Sequence, residues 1–179
     1  MDCSRGYFTY NKKTIDMKVI TTLALISCVF TGCAQMTTSN YIKQKKYQGF
    51  IFSKDYTSRL VQLEEIKERF TPSEKDVITV ETILTAQIRG INKSRLNQTG
   101  NCPIIDETLP EYKRQYLGYI NKNGDKVIWI NFIGGKAREY SDQLSKDIII
   151  IFDGCSHYWN VKVNITKGHL YDLHINGSS

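Results

Sequence analysis

The sequence lacks the motifs that mark the common catalytic classes. It has no glycine-rich phosphate loop, no Gly-x-Ser-x-Gly turn and no His-Glu-x-x-His helix, and Gly134-Gly135-Lys136 does not have P-loop spacing. Three of its 179 residues are histidine. The expected register of the last hairpin pairs Asn160 with His174 and Lys162 with Asp172, and it puts His169 on the core side of its strand and His174 on the opposite side. We therefore predict no catalytic residue, no metal ligand and no cofactor.

The apolar run at residues 19–30 is too short to cross a bilayer. Its 12 residues fall below the roughly 20 that a transmembrane helix needs, but they match the hydrophobic core of a signal peptide. Residues 1–16 are polar and are either a long basic start or upstream sequence ahead of a true start at Met17. We predict that residues 1–32 are a removable signal region.

The run ends in Phe30-Thr31-Gly32-Cys33, which resembles the lipobox of bacterial lipoproteins. The resemblance implies that Cys33 becomes a lipidated N-terminus, so that the chain is exported and held on a lipid membrane. Ala34 stands where an aspartate would indicate retention in an inner membrane, which favours the outer membrane or the cell surface. Residues 25–28 also fit the pattern, but they leave too short an apolar run after Met17.

Two cysteines, Cys102 and Cys155, lie beyond the anchor. Outside the cytoplasm such thiols tend to oxidise, which suggests a Cys102–Cys155 disulfide, and their spacing fits no zinc template. The alternative is that Cys155 stays free beside His157, as a thiol nucleophile would require.

Charge is modest and scattered beyond the anchor, where twenty basic residues face sixteen acidic ones, an excess of four. We therefore predict no nucleic-acid partner. Residues 33–48 read as a lipid anchor and flexible tether, and their lysines, Lys43, Lys45 and Lys46, are either a solvated linker or a contact with anionic lipid head groups. Residues 49–179 are predicted to form a single globular domain.

The best-marked element is a helix at residues 72–89. Thr71 is the expected N-cap, with Pro72 at the first helical position and Glu74 three residues after the cap. Apolar residues then recur at spacings of three and four: Val77, Val80, Leu84, Ile88 and Ile91. Residues 60–70 fit either a helix or extended structure.

After residue 111 the apolar period changes to two. Predicted strands at 112–120 and 126–133 flank an Asn123-Gly124 turn, strands at 157–165 and 169–175 flank a turn that ends in Gly168, and 147–152 is a β-branched run. The expected fold class is α+β, with one main helix packed on a four-stranded antiparallel meander. That order resembles cystatin-like and nuclear-transport-factor-like folds, but the cystatin inhibitory loop is absent, so the resemblance implies no protease inhibition.

Aromatic residues mark a candidate ligand or partner face. A two-residue Asn123-Gly124 turn would align Leu117 with Ile130, which places Tyr116 and Trp129 together on the face away from the helix, with Gly118 making room for the indole. Tyr158 is expected on the same side. The alternative is that residues 47–52 or a second subunit cover this face.

The sequence thus predicts a membrane-anchored cell-envelope lipoprotein that acts as a binding or adaptor module. Two alternatives stay open. One is an envelope immunity or inhibitor protein that neutralises a toxin or protease. The other is a thiol-dependent hydrolase that uses Cys155.

Overall fold

The structure is a computed structural model that describes residues 39–58, 61, 63, 65–135 and 137–177. The predicted signal region and Cys33 lie outside these residues. The described part is α+β, with one α-helix and a mostly antiparallel seven-stranded sheet. In chain order the elements are β1 Ser39–Lys43, β2 Gln48–Phe52, β3 Ile66–Phe70, α1 Glu74–Ile91, β4 Lys113–Asn121, β5 Lys126–Ile133, β6 Tyr158–Asn164 and β7 His169–Ile175.

Strands β4, β5, β6 and β7 pair antiparallel in that order, and the first three strands extend the sheet beyond β4. Strand β2 runs parallel to the first half of β4, while β3 runs antiparallel beside its second half, so both occupy the same edge. Strand β1 pairs outside β2. The predicted four-stranded sheet is therefore too small.

Residues 39–48, predicted as part of a flexible tether, belong instead to the β1–β2 hairpin. Ile42 and Ile51 are buried in the core beneath the helix, and Phe52 is buried on the opposite face of the sheet. Burial of these apolar side chains outweighs the polar composition that suggested a tether. Residues 66–70, which the sequence left ambiguous, are extended as β3.

Helix α1 begins two residues later than predicted because Ser73, not Thr71, is the N-cap. The Ser73 Oγ accepts the Asp76 N–H at 3.2 Å, and the Asp76 carboxylate accepts the Ser73 N–H at 2.9 Å. This is a capping box with aspartate in the third position. Thr71 instead accepts the Lys54 N–H through its Oγ1.

The predicted apolar stripe of α1 packs on the sheet. Leu84 and Ile88 belong to the same buried core as Trp159 and Val161 of β6. We call the sheet surface that this core covers the helix face, and the opposite surface the second face. A second core lies on the second face, with Leu117, Val127 and Trp129 at its centre.

The first long hairpin is shifted by one residue from the predicted register. Tyr116 pairs with Ile130, Leu117 with Trp129 and Gly118 with Ile128. Because side chains alternate along a strand, this shift sends Tyr116 to the helix face and leaves Trp129 on the second face. The prediction that they share a face is therefore wrong. Gly118 makes room for the Phe70 ring of β3, which lies 2.8 Å from where a Cβ would be, and not for the indole.

The last hairpin contains a bulge that the sequence did not predict. Asn160 pairs with His174 as expected, but Lys162 pairs with Tyr171, so β7 carries one extra residue between these pairs. Asp172 in this stretch has a φ of 53°. Before the bulge it is Leu170, not Tyr171, that points into the core beneath the helix.

Candidate functional site: a cleft on the second face

The second face of the sheet is covered by the protein's own chain. Residues 144–151 lie across it, together with Tyr56, Val61 and Leu63, and bury Trp129 to 4% exposure. The β-branched run at 147–152 forms no strand. The covering segment is therefore held by contacts other than a sheet ladder.

Buried side-chain amides supply those contacts. Gln115 of β4 donates to the carbonyls of Leu144 and Asp147, at 2.9 and 2.8 Å, and accepts the Ile149 N–H at 2.9 Å. Asn131 of β5 donates to the Ile149 carbonyl at 2.7 Å. These bonds satisfy backbone groups that a loop buried on a sheet would otherwise leave unpaired.

Two further side chains complete the attachment. Asn176 donates to the carbonyls of Ile151 and Asp153. The Tyr56 hydroxyl donates to the Asp147 carboxylate and accepts the Ile148 N–H at 3.0 Å. Burial, together with the hydrogen bond to Asp147, raises the pKa of Tyr56, so the hydroxyl keeps its proton at neutral pH.

The covering segment leaves a cleft of about 630 Å³ between residues 149–152 and the exposed ends of β6 and β7. Trp129 lies in its wall. The indole N–H donates to Asn160 Oδ1 at 3.1 Å, and Asn160 faces His174 across β6 and β7. Since the indole takes the amide oxygen, the Asn160 Nδ2 group is directed elsewhere, and it has no partner among the described residues.

One acidic residue, Asp172, lines the cleft, and it is paired with a lysine. Its Oδ2 lies 2.7 Å from Lys162 Nζ. The Lys162 side chain is 9% exposed and the Asp172 side chain 61% exposed, so the carboxylate remains within reach of a ligand.

The rim of the cleft carries the most exposed large apolar side chain among the described residues. Phe152 is 87% exposed. Single exposed apolar residues are common, but this one lines a cleft that also contains Trp129 and Tyr158. Tyr158 is half-buried, and burial with the neighbouring Tyr140 raises its pKa to about 12. It therefore acts as a neutral hydroxyl at physiological pH.

Two of the three predicted face residues, Trp129 and Tyr158, thus line one cleft, while Tyr116 does not. Tyr116 is fully buried on the helix face, where its hydroxyl donates to Glu81 Oε1 at 2.8 Å. The same oxygen lies 2.8 Å from Arg114 Nε, and the remaining Arg114 nitrogens donate to the carbonyls of Tyr112 and Leu109. This cluster is internally paired and joins α1 to β4.

Phe152, Asn160 and His174 were not predicted as site residues. Phe152 ends an apolar run that looked like a buried strand, so an outward-pointing ring was not expected. The predicted pairing of Asn160 with His174 was the available signal, but without the covering segment nothing placed it beside Trp129.

Cys102 and Cys155 form a disulfide. It connects the α1–β4 loop to the short turn before β6. Because Cys155 has no free sulfur, it cannot serve as the thiol nucleophile that the hydrolase alternative requires.

Within residues 39–58, 61, 63, 65–135 and 137–177, no three His, Cys, Asp or Glu side chains come together in a way that could hold a metal ion. Within the same ranges, no helix combines the length and apolar character needed to cross a membrane. His169 packs against Tyr171, not on the core side of β7 as predicted, because the bulge changes which residues face the helix.

Comparison of the chain with family models, curated proteins and solved structures gave no match.

Proposed function

We propose that this protein is a cell-envelope lipoprotein, anchored to a bacterial membrane through Cys33, whose globular part binds a ligand in the second-face cleft. The observation that carries the binding function is the cleft itself. Its volume lies within the roughly 300–1,000 Å³ of ligand sites, and its lining combines aromatic residues with several polar ones. The cysteine pair supports export, since disulfides persist in oxidising compartments.

The proposed location is the outer membrane or the cell surface, with the lipid membrane as the first partner. The cystatin-like element order of α1 and the strands that follow it stays a prediction about the fold, and no part of the binding function depends on it. An immunity or inhibitor protein would share the same anchor, and the second experiment below separates it from a module that binds a small ligand.

The anchor is tested by fatty-acid labelling of the full chain in a bacterial host. Cys33→Ala is expected to abolish incorporation, because no other residue of this lipobox can accept the lipid. Cys28→Ala, which alters the competing pattern at residues 25–28, is the matched control and is expected to keep full labelling. Labelled Cys33→Ala protein would overturn the anchor.

Binding in the cleft is tested by recovering the protein from its native envelope and identifying by mass spectrometry what stays with it. Phe152→Ala removes the exposed ring at the rim, and Leu96→Ala is the control because Leu96 is another exposed apolar residue, outside the cleft. We expect a small ligand to be recovered with the wild type and with Leu96→Ala, and to be absent from Phe152→Ala. A stoichiometric protein partner would favour the inhibitor alternative, and identical recovery from all three would contradict a site in the cleft.

A further inference from the structure

The cleft has hydrogen-bonding groups that the protein does not use. Asn160 Nδ2 is left over once Trp129 has taken the amide oxygen, and the His174 imidazole lies directly across from it on β7. Asp172 uses Oδ2 for Lys162, so its other oxygen can still accept a hydrogen bond. Asn160, His174 and Asp172 therefore offer hydrogen-bonding groups to the cleft from the neighbouring strands β6 and β7.

The opposite wall is formed by residues 149–151, which are all isoleucine, and by Phe152, which places an exposed ring at the rim. A ligand that fills the cleft must offer an apolar surface to this wall and several hydroxyl or amide groups to the other. A cationic ligand has no unpaired carboxylate to bind, because the one carboxylate that lines the cleft is already paired with Lys162.

These requirements describe a sugar ring. A pyranose has apolar C–H faces that pack on aromatic rings and equatorial hydroxyl groups that each donate and accept. We propose that the cleft binds a neutral oligosaccharide, with one ring against Phe152 and its hydroxyl groups bonded to Asn160, His174 and Asp172. This inference deepens the proposed binding function and depends on it. A nucleotide or another anion would meet the Asp172 carboxylate, and neither lysine nor arginine lines the cleft.

The test uses the full-length protein in detergent and follows the two tryptophan indole N–H signals by NMR. Maltotetraose, cellotetraose and tetra-N-acetylchitotetraose, all neutral, are added up to about 10 mM, well above a millimolar Kd. We expect at least one of them to shift the Trp129 signal, because its N–H is bonded to Asn160, and to shift it more than the signal of Trp159, which also lines the cleft but whose ring packs in the helix-face core.

Two variants locate the complex. Phe152→Ala is expected to weaken binding roughly tenfold or more, as truncation of an aromatic anchor does. Asn160→Asp keeps the oxygen that accepts from Trp129 but removes the Nδ2 donor, so it too is expected to weaken binding. Asn123→Asp, which makes the same change in the exposed β4–β5 turn, is its matched control and is expected to bind as the wild type does.

The outcomes separate the two proposals. If none of the three oligosaccharides moves the Trp129 signal, the saccharide inference is overturned. If an envelope extract, an anionic oligosaccharide or a peptide still moves it, the binding function survives with a different ligand class. If nothing moves it, both fail. Binding that Phe152→Ala and Asn160→Asp leave unchanged would place the saccharide elsewhere and would also overturn the inference.

Discussion

On the second face, side-chain amides form the hydrogen bonds to backbone groups that neighbouring strands form elsewhere in the sheet. Gln115 and Asn131 are buried, and between them they bond to backbone groups of Leu144, Asp147 and Ile149. An amide both donates and accepts, so it can substitute for the neighbouring strand that residues 144–151 do not have. Gln115 and Asn131 are polar residues within otherwise apolar strands, and as such they indicated a segment that covers the sheet. Which segment covers it could not be read from β4 and β5 alone.

Truncation of Trp129 tests whether its indole is part of the core or an exposed surface for a ligand. Because it is 4% exposed and packs in the second core, Trp129→Ala is expected to lower the free energy of unfolding by about 3–5 kcal/mol, as other large aromatic truncations do. Chemical denaturation of the two proteins measures the difference. The exposed Phe152→Ala serves as control and should change stability by no more than about 0.5 kcal/mol. A loss below about 1 kcal/mol for Trp129→Ala would show that the indole is not part of the core.

Glu81 gives the helix face a pH dependence of defined sign. Burial raises the pKa of its carboxyl, and the Arg114 charge and the Tyr116 hydrogen bond offset this only in part. Between the ordinary pKa of 4.5 and the raised value, the folded state holds a proton that the unfolded state has released, so stability falls as the pH rises through this window. Glu81→Gln removes this contribution, and the advantage of the wild type over the variant should shrink with rising pH.

Thermal midpoints at a series of pH values measure the difference in stability between the wild type and Glu81→Gln. Asp76→Asn is the comparison, because the contribution of Asp76 to stability has the opposite pH dependence. Burial raises the pKa of Asp76, but hydrogen bonds from Lys126 and Ser73 outweigh it, so the net shift is downward. Its contribution is present above the ordinary pKa of 3.8 and is lost as the pH falls through the lowered value. An advantage over Glu81→Gln that grew with pH would mean that the Arg114 ion pair dominates burial.

At the scale of elements, the sequence predicts types better than registers. The period-two pattern correctly indicates β4 to β7, and the three- and four-residue spacing indicates α1 to within two residues at either end. The β4–β5 turn differs from the predicted Asn123-Gly124 turn. Asn121 Oδ1 accepts the N–H groups of both Asn123 and Asp125, and the Asn121 N–H donates to the Asp125 carbonyl. This closes a three-residue loop in place of the expected two, and the extra residue shifts the register.

That one-residue shift determined which of the predicted face residues lie together in the cleft. It separated Tyr116 from Trp129, whereas Tyr158, which depends on a different strand, stayed on the predicted face. The bulge near Asp172 similarly moved Tyr171 and His169 without disturbing the Asn160–His174 pair beyond it. Turn chemistry and bulges involve side-chain bonds to the backbone, which an apolar pattern does not encode.

The N-terminus of α1 allows the capping residue to be tested directly. Ser73→Ala removes the Oγ that accepts the Asp76 N–H and is expected to cost about 1 kcal/mol of unfolding free energy, within a range of about 0.5–2. Urea denaturation measures it. Thr82→Ala, in an exposed position within the helix, is the control and should be within about 0.5 kcal/mol of the wild type. A greater loss from Thr71→Ala than from Ser73→Ala would restore Thr71 as the cap.

At the scale of the whole molecule, the two faces of the sheet differ in what they contain. The helix face holds the larger core and the Glu81–Arg114 pair, whereas the second face holds a smaller core and the cleft. The α1–β4 loop is held at the helix side by Asn92, whose Nδ2 donates to Gln98 and Asp106, and by the disulfide from Cys102. The cleft thus lies on a sheet whose other face is packed and cross-linked, a rigid support for a binding site.

The Cys102–Cys155 disulfide is expected to stabilise the folded chain. It joins residues 53 positions apart and encloses β4 and β5, so it restricts a large part of the unfolded chain. Chain-entropy estimates for a loop of this size give about 4 kcal/mol. The double variant Cys102→Ser with Cys155→Ser is expected to lose about 2–5 kcal/mol of unfolding free energy. Thermal unfolding of the wild type with and without a thiol reductant measures the same difference. As a control, the reductant should leave the midpoint of the double variant unchanged. A wild-type midpoint that the reductant does not move would contradict a stabilising cross-link.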